Sequence, residues 1–146
     1  MEQRLRVKLI FRQVIFSTQY DEDIERQVEM ESKSSFSVTP AIQEMEKRVL
    51  GITRLSRTMY HRLALERYLG QENPQINYRL LIKKKTDPEY VRKNAVEPVY
   101  LSEEHRAGLD RIAQQYDTNI GTVFLQALLE YTVIQAELLG LSDSIK

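Results

Sequence analysis

The chain has 146 residues, room for one domain or two very small ones, and 42% of them are hydrophobic, enough for a packed core and too many for a disordered chain. It has no cysteine and two histidines, His61 and His105, which excludes disulfides, thiolate metal sites and cysteine nucleophiles and leaves little acid–base chemistry for neutral pH. The formal net charge of zero conceals segments of +3 (1–12), −6 (13–46), +8 (47–96) and −5 (97–146), a distribution that fits one anion-facing surface as well as ordinary solvated helices.

No run approaches the roughly 20 apolar residues of a membrane span. The opening Met1-Glu2-Gln3-Arg4 lacks the apolar stretch of a signal peptide, so a cytoplasmic location is expected. Gly-rich phosphate loops, nucleophile elbows and zinc-protease motifs are missing from the sequence. The expectation is therefore a non-enzyme with no catalytic residues, no metal and no cofactor. Asp21-Glu22-Asp23 lacks the spacing of a calcium loop, and His61 and His105 read as structural residues.

In chain order, Leu5, Val7, Leu9 and Phe11 alternate with Arg4, Arg6, Lys8 and Arg12, which predicts a half-buried strand. Residues 17–34 are polar and acidic, a linker or a short exposed helix. Helical composition runs from Ala41 to Leu50 after Pro40. Gly51 follows it, either as a break or as a weak point. Leu55-Ser56 has the form of a hydrophobic staple and N-cap, and a second helix follows from about Arg57 to Leu69, ended by Gly70. Residues 71–97 read as connecting chain, with one strand predicted where Ile76, Tyr78, Leu80 and Ile82 alternate with Asn77, Arg79 and Lys83.

Val99 and Leu101 then form a strand around Tyr100. Ser102 caps a helix with Glu103 and Glu104 in its first turn, where carboxylates suit the helix dipole. Leu109, Ile112, Ala113 and Tyr116 follow at helical spacing. Asp117-Thr118-Asn119 makes a turn and cap, and a last helix runs from about Ile120 to Leu139, stopped by Gly140.

The segment from Val99 to Tyr131 resembles the ribbon-helix-helix family, the Arc, MetJ and CopG type of DNA-binding protein. The resemblance rests on the short strand Val99-Tyr100-Leu101 and on Leu109-Asp110 and Ile112-Ala113 in the first helix. It rests also on Asn119 at the turn, and on Val123-Phe124, Ala127-Leu128 and Glu130-Tyr131 in the second helix. The same template, moved back along the chain so that Phe36 takes the place of Val99, matches again without a gap. Its matches there are Phe36, Val38, Val49, Leu50, Ser56, Ala64-Leu65 and Tyr68. Its misfits are Glu46 in the place of Leu109, His61 in the place of Phe124 and Thr53 in the place of Tyr116.

The expected fold is mainly α with short β-strands: a ribbon-helix-helix in two tandem copies, with extra N-terminal and linker strands. The division would be 1–34, an N-terminal strand and acidic segment; 35–70, a first copy; 71–97, a linker with a strand; and 98–146, a second copy. One strand-helix-helix unit leaves its strand unpaired and its apolar face open. Two units would therefore pair, either within the chain or between the chains of a homodimer.

The resemblance implies a transcriptional regulator, a repressor that binds double-stranded DNA and inserts its two-stranded ribbon into the major groove. The residues it implies for base contact in the first copy are Ser35, Ser37 and Thr39. For phosphate, at the start of the second helix, it implies Arg54, Ser56 and Arg57. The equivalents in the second copy are Pro98, Tyr100 and Ser102, less suited to a polar ribbon, and the helix start at Asn119-Ile120-Gly121 carries no cation in sequence. Arg4, Arg6 and Lys8, and Lys83-Lys84-Lys85, are rival basic candidates. The alternative function is an antitoxin-like module that binds a protein partner.

Overall fold

The structure, a computed structural model, describes residues 32–141. The strand expected from Leu5 to Phe11, with its row of Arg4, Arg6 and Lys8, lies outside the described residues. The described chain is mainly helical with one two-stranded antiparallel sheet. In order it forms β1 (Ser32–Val38), α1 (Pro40–Thr53), α2 (Arg57–Leu69), a short 3-10 turn (Tyr78–Leu81), β2 (Ala95–Leu101), α3 (Glu103–Gln115) and α4 (Ile120–Leu138).

Each helix begins where a short polar side chain can take an orphan backbone N–H. Thr39 accepts from the Ile42 N–H, Ser56 from Met59, Ser102 from His105 and Asn119 from Thr122. Pro40 sits in the first turn of α1, where its missing N–H costs nothing. Gly51 does not break α1, which continues to Thr53 and turns at Arg54 with a left-handed φ of 66°. Gly140, with φ of 74°, stops the chain just past α4.

The strands pair antiparallel within the chain, from Ser32 opposite Leu101 to Val38 opposite Ala95. Phe36 and Val38 of β1, and Glu97, Val99 and Leu101 of β2, point inward and are buried. Both strands of a two-stranded ribbon are edges, the setting in which Pro98 is tolerated. Under the ribbon lies α4, packed against α1, α2, α3 and β1. Its residues Thr122 to Leu128 are buried without interruption, as expected of a helix covered on all sides. Leu65, Leu109, Phe124 and Leu128 are fully buried in one core with Val38, Val99 and Leu101.

The two strand-helix-helix units match at one constant offset, the one that carries Ser32 onto Ala95. Strand bounds, the N-caps Thr39 and Ser102, the N-caps Ser56 and Asn119, and the starts of all four helices coincide under it. Tertiary packing carries the same relation. Ser35 and Pro98 are equivalent under the offset, and they face each other at the centre of the ribbon. His61 and Phe124 are also equivalent, and their rings meet edge to face at 5.2 Å between centroids. A third equivalent pair, Arg67 and Glu130, forms a salt bridge at 2.8 Å. Equivalent residues in mutual contact mark an approximate two-fold axis through the ribbon centre and the core.

The strand expected over 76–82 does not form. Ile76 and Leu80 are buried, but Tyr78 is 60% exposed, so the alternation does not correspond to two faces. The Asn77 side chain caps the Arg79 N–H and turns the backbone into the 3-10 turn, while the Asn77 N–H donates to Gln126 Oε1 at 2.8 Å. Tyr68 and Tyr116 hold the preceding stretch by donating to the carbonyls of Gln75 and Pro74. Among the described residues no helix is long and apolar enough to cross a membrane.

Candidate nucleic-acid interface

Alternation leaves Lys33, Ser35 and Ser37 of β1, and Val96, Pro98 and Tyr100 of β2, exposed on one outer face. The antiparallel pairing joins the strands side by side, so this face belongs to both units along its whole length. Ser35 and Ser37 thus stand where the sequence reading put them. Thr39 does not share the ribbon: β1 ends at Val38, and the Thr39 hydroxyl oxygen accepts from the Ile42 N–H at 3.2 Å.

The N-terminus of α4 stands beside the ribbon. Ser35, Ser37, Lys93, Asn119, Gly121 and Thr122 line a cavity of about 360 Å³ between them. Gly121 permits the approach, because a Cβ there would meet the Phe36 ring at 3.2 Å. The sequence around Asn119 carries no cation, yet Lys93 from the connecting chain lies with its Nζ 3.4 Å from Thr122 Oγ1. Partial burial holds its ammonium below the usual lysine range. The linear neighbours of Asn119 could not reveal this cation, because β2 and α3 intervene in the chain. Next to the other end of β1, Arg106 donates to the hydroxyls of Ser32 and Ser34 at 2.7 and 2.8 Å.

At the start of α2, Arg54 and Ser56 are exposed, and Ser56 accepts from Met59 N–H at 3.1 Å. Arg57 is partly turned inward. Its Nε lies 3.8 Å from Glu46 Oε1, and both atoms are buried without a hydrogen-bond partner among the described residues. Lys83, Lys84 and Lys85 are exposed, with Lys83 3.6 Å from Asp117.

The two principal misfits of the repeat meet in the core. Glu46 of α1, His61 of α2 and Glu97 of β2 are almost completely buried. The His61 Nε2 lies 2.9 Å from Glu46 Oε2 and 2.5 Å from Glu97 Oε2, while Gln43 Nε2 donates to Glu97 Oε1 at 3.1 Å. Burial pushes the Glu46 carboxyl up, and the neighbouring Glu97 adds to this against the pull of His61, so that it reaches about 7. For Glu97 burial acts in the same upward direction, but hydrogen bonds from His61 and Glu46 override it and hold it at about 2. His61 is destabilised as a cation by burial, yet its two carboxylate partners win and raise it.

This set is the group of metal-ligand type among the described residues, its ligand atoms within 4.8 Å of one another. Ligands held about 2.0–2.2 Å from one cation lie roughly 3 Å apart. The 2.5 Å contact of His61 with Glu97 is a hydrogen bond between ring nitrogen and carboxyl. Sequence spacing could not reveal the cluster, since its members lie 15 and 36 residues apart. The available signal was the coincidence of two polar misfits in one template.

Comparison of the chain with family models, with curated proteins and with solved structures returns no match.

Proposed function

We propose that the chain is a ribbon-helix-helix regulator of transcription, a cytoplasmic repressor that reads double-stranded DNA through its ribbon, with both copies in one chain. The observation that carries this reading is the exposed antiparallel ribbon, flanked by capped helix starts that recur at equivalent positions of both units. A β-ribbon fits the major groove, where the four base pairs are distinguishable. Helix N-termini suit phosphate, and cations stand near both: Arg54 and Arg57 at α2, Lys93 at α4. Ser35 and Ser37 carry hydroxyls that donate or accept at base edges.

The test is a titration of the full chain against duplex DNA over a salt series, with the mass of the complex measured alongside. The expected result is an affinity that falls linearly on a log–log plot with salt, and one selected sequence held more tightly than random duplex. Absence of salt-dependent duplex binding would remove the regulator and leave the protein-interaction module as the reading to pursue.

A further inference from the structure

The ends of the ribbon are chemically different. Lys33 faces Tyr100, Ser35 faces Pro98, and Ser37 faces Val96. The approximate two-fold axis passes through the Ser35–Pro98 pair. It therefore exchanges Lys33 with Val96, and Ser37 with Tyr100, which are the equivalent positions of the two units. In a ribbon of two identical chains these exchanged positions would be identical, and both ends would offer the same groups. Here one end offers an ammonium and a phenol, the other a hydroxyl and an isopropyl group. All four side chains are on the exposed face, with Val96 63% and Tyr100 36% accessible.

We infer that the ribbon selects a non-palindromic duplex, with a guanine read by Lys33 at one end and the 5-methyl group of a thymine packed on Val96 at the other. The inference rests on the reading of this face as a major-groove reader. Lysine suits the paired O6 and N7 acceptors of guanine, and an apolar side chain suits the thymine methyl. Charge complementarity favours a nucleic acid as the occupant, because Lys33 is exposed on this face and Lys93 lines the cavity shared with Ser35 and Ser37. Val96, an apolar side chain left largely exposed, finds its partner in the methyl group.

The experiment starts with selection of bound duplexes from a random-sequence pool by the full chain. The recovered element is then titrated beside two palindromic versions, each built from one of its halves, and beside versions with single thymines replaced by deoxyuridine. Expected is one non-palindromic element that binds more tightly than either palindrome. Removal of one thymine methyl weakens binding about fourfold, the value of one buried carbon. Val96→Ser binds the thymine and deoxyuridine elements equally. Lys33→Met loses about tenfold at the guanine of the opposite half and little elsewhere. Both variants lie on the surface, and circular dichroism confirms that they keep the parent fold.

A palindromic element overturns the inference and leaves the DNA-reading function in place. So does an element indifferent to every thymine methyl. Failure of the pool to yield any preferred duplex overturns the function and the inference together.

Discussion

His61 stands where the second unit has Phe124, and Glu46 where it has Leu109. Where the second unit has an apolar pair, the first has a histidine and a carboxylate, joined by Glu97 from the strand of the second unit. Breaking a buried ion pair by removing one partner is far more harmful than replacing the whole set, because the remaining charge stays buried alone. His61→Phe by itself is therefore expected to cost about 3–5 kcal/mol in chemical denaturation. The triple variant Glu46→Leu, His61→Phe, Glu97→Leu is expected to be at least as stable as the parent. Equal destabilisation by the single and triple variants would refute this account.

The same cluster sets a pH dependence. Glu46 and His61 hold their protons more tightly in the folded state, so the stability they contribute is complete below their unfolded values. It is lost as pH rises, from about 4.5 through about 7 for Glu46. Glu97 is shifted down, so its contribution is present above about 4.5 and fades as pH falls toward about 2. The melting temperature is expected to peak near pH 5 and to decline toward pH 8. In the triple variant the decline from pH 5 to pH 8 is expected to flatten, which a calorimetric pH series checks.

At the scale of elements, the two helix starts beside the ribbon differ in how their cations are supplied. Arg54 is exposed at the turn before α2, and Arg54→Ala is expected to lower the salt slope of duplex binding by about one while leaving the melting temperature unchanged. Arg57→Ala is expected to change both, because Arg57 also stands 3.8 Å from the buried Glu46 carboxylate. At α4 the cation comes from the connecting chain, whose anchorage depends on Ile76, Leu80 and the Asn77–Gln126 hydrogen bond. Leu80→Ala is expected to destabilise by about 2–5 kcal/mol, the usual cost of such a core truncation. If denaturation of Leu80→Ala matches the parent, the connection is a passive tether. The alternation at 76–82 misled because a two-residue period describes a strand only if a partner strand exists to pair with it. The described fold offers that stretch α4 and a side-chain cap, and a 3-10 turn satisfies its backbone.

For the whole molecule, the decisive feature is the closure of one ribbon and one core by a single chain. Val38, Tyr60, Val99 and Phe124, drawn from both units, are fully buried in one core, and each strand by itself would be left with unpaired edges. Separate chains carrying 32–75 and 90–141 are expected to be unfolded alone and to regain helical circular dichroism on equimolar mixing. A folded 90–141 segment on its own would contradict the shared core. Leu109→Ala and Ala127→Glu, both in that core with almost no exposure, are expected to unfold a large fraction of the full chain on mild heating, as monitored by thermal denaturation.

Helix starts, the inward Phe36, Val38, Val99 and Leu101, and the recurrence of the strand-helix-helix unit were legible in the sequence, whereas the stop of α1 at Thr53 and the inward Glu97 were not. Capping and alternation depend on residues within three or four positions of each other, and a repeat is visible as pattern alone. Ser35, Ser37, Arg54 and Ser56 could be placed on the surface for the same reason. Tertiary structure alone decided that the two strands pair within the chain about Ser35 and Pro98, which makes one outer face of two dissimilar strands. It alone joined Glu46, His61 and Glu97 into a buried hydrogen-bonded cluster, and brought Lys93 to Thr122. Those contacts join residues on different elements, far apart along the chain. Which of many compatible partners meet at such separations is fixed by the packing of the whole core, not by any local run of residues.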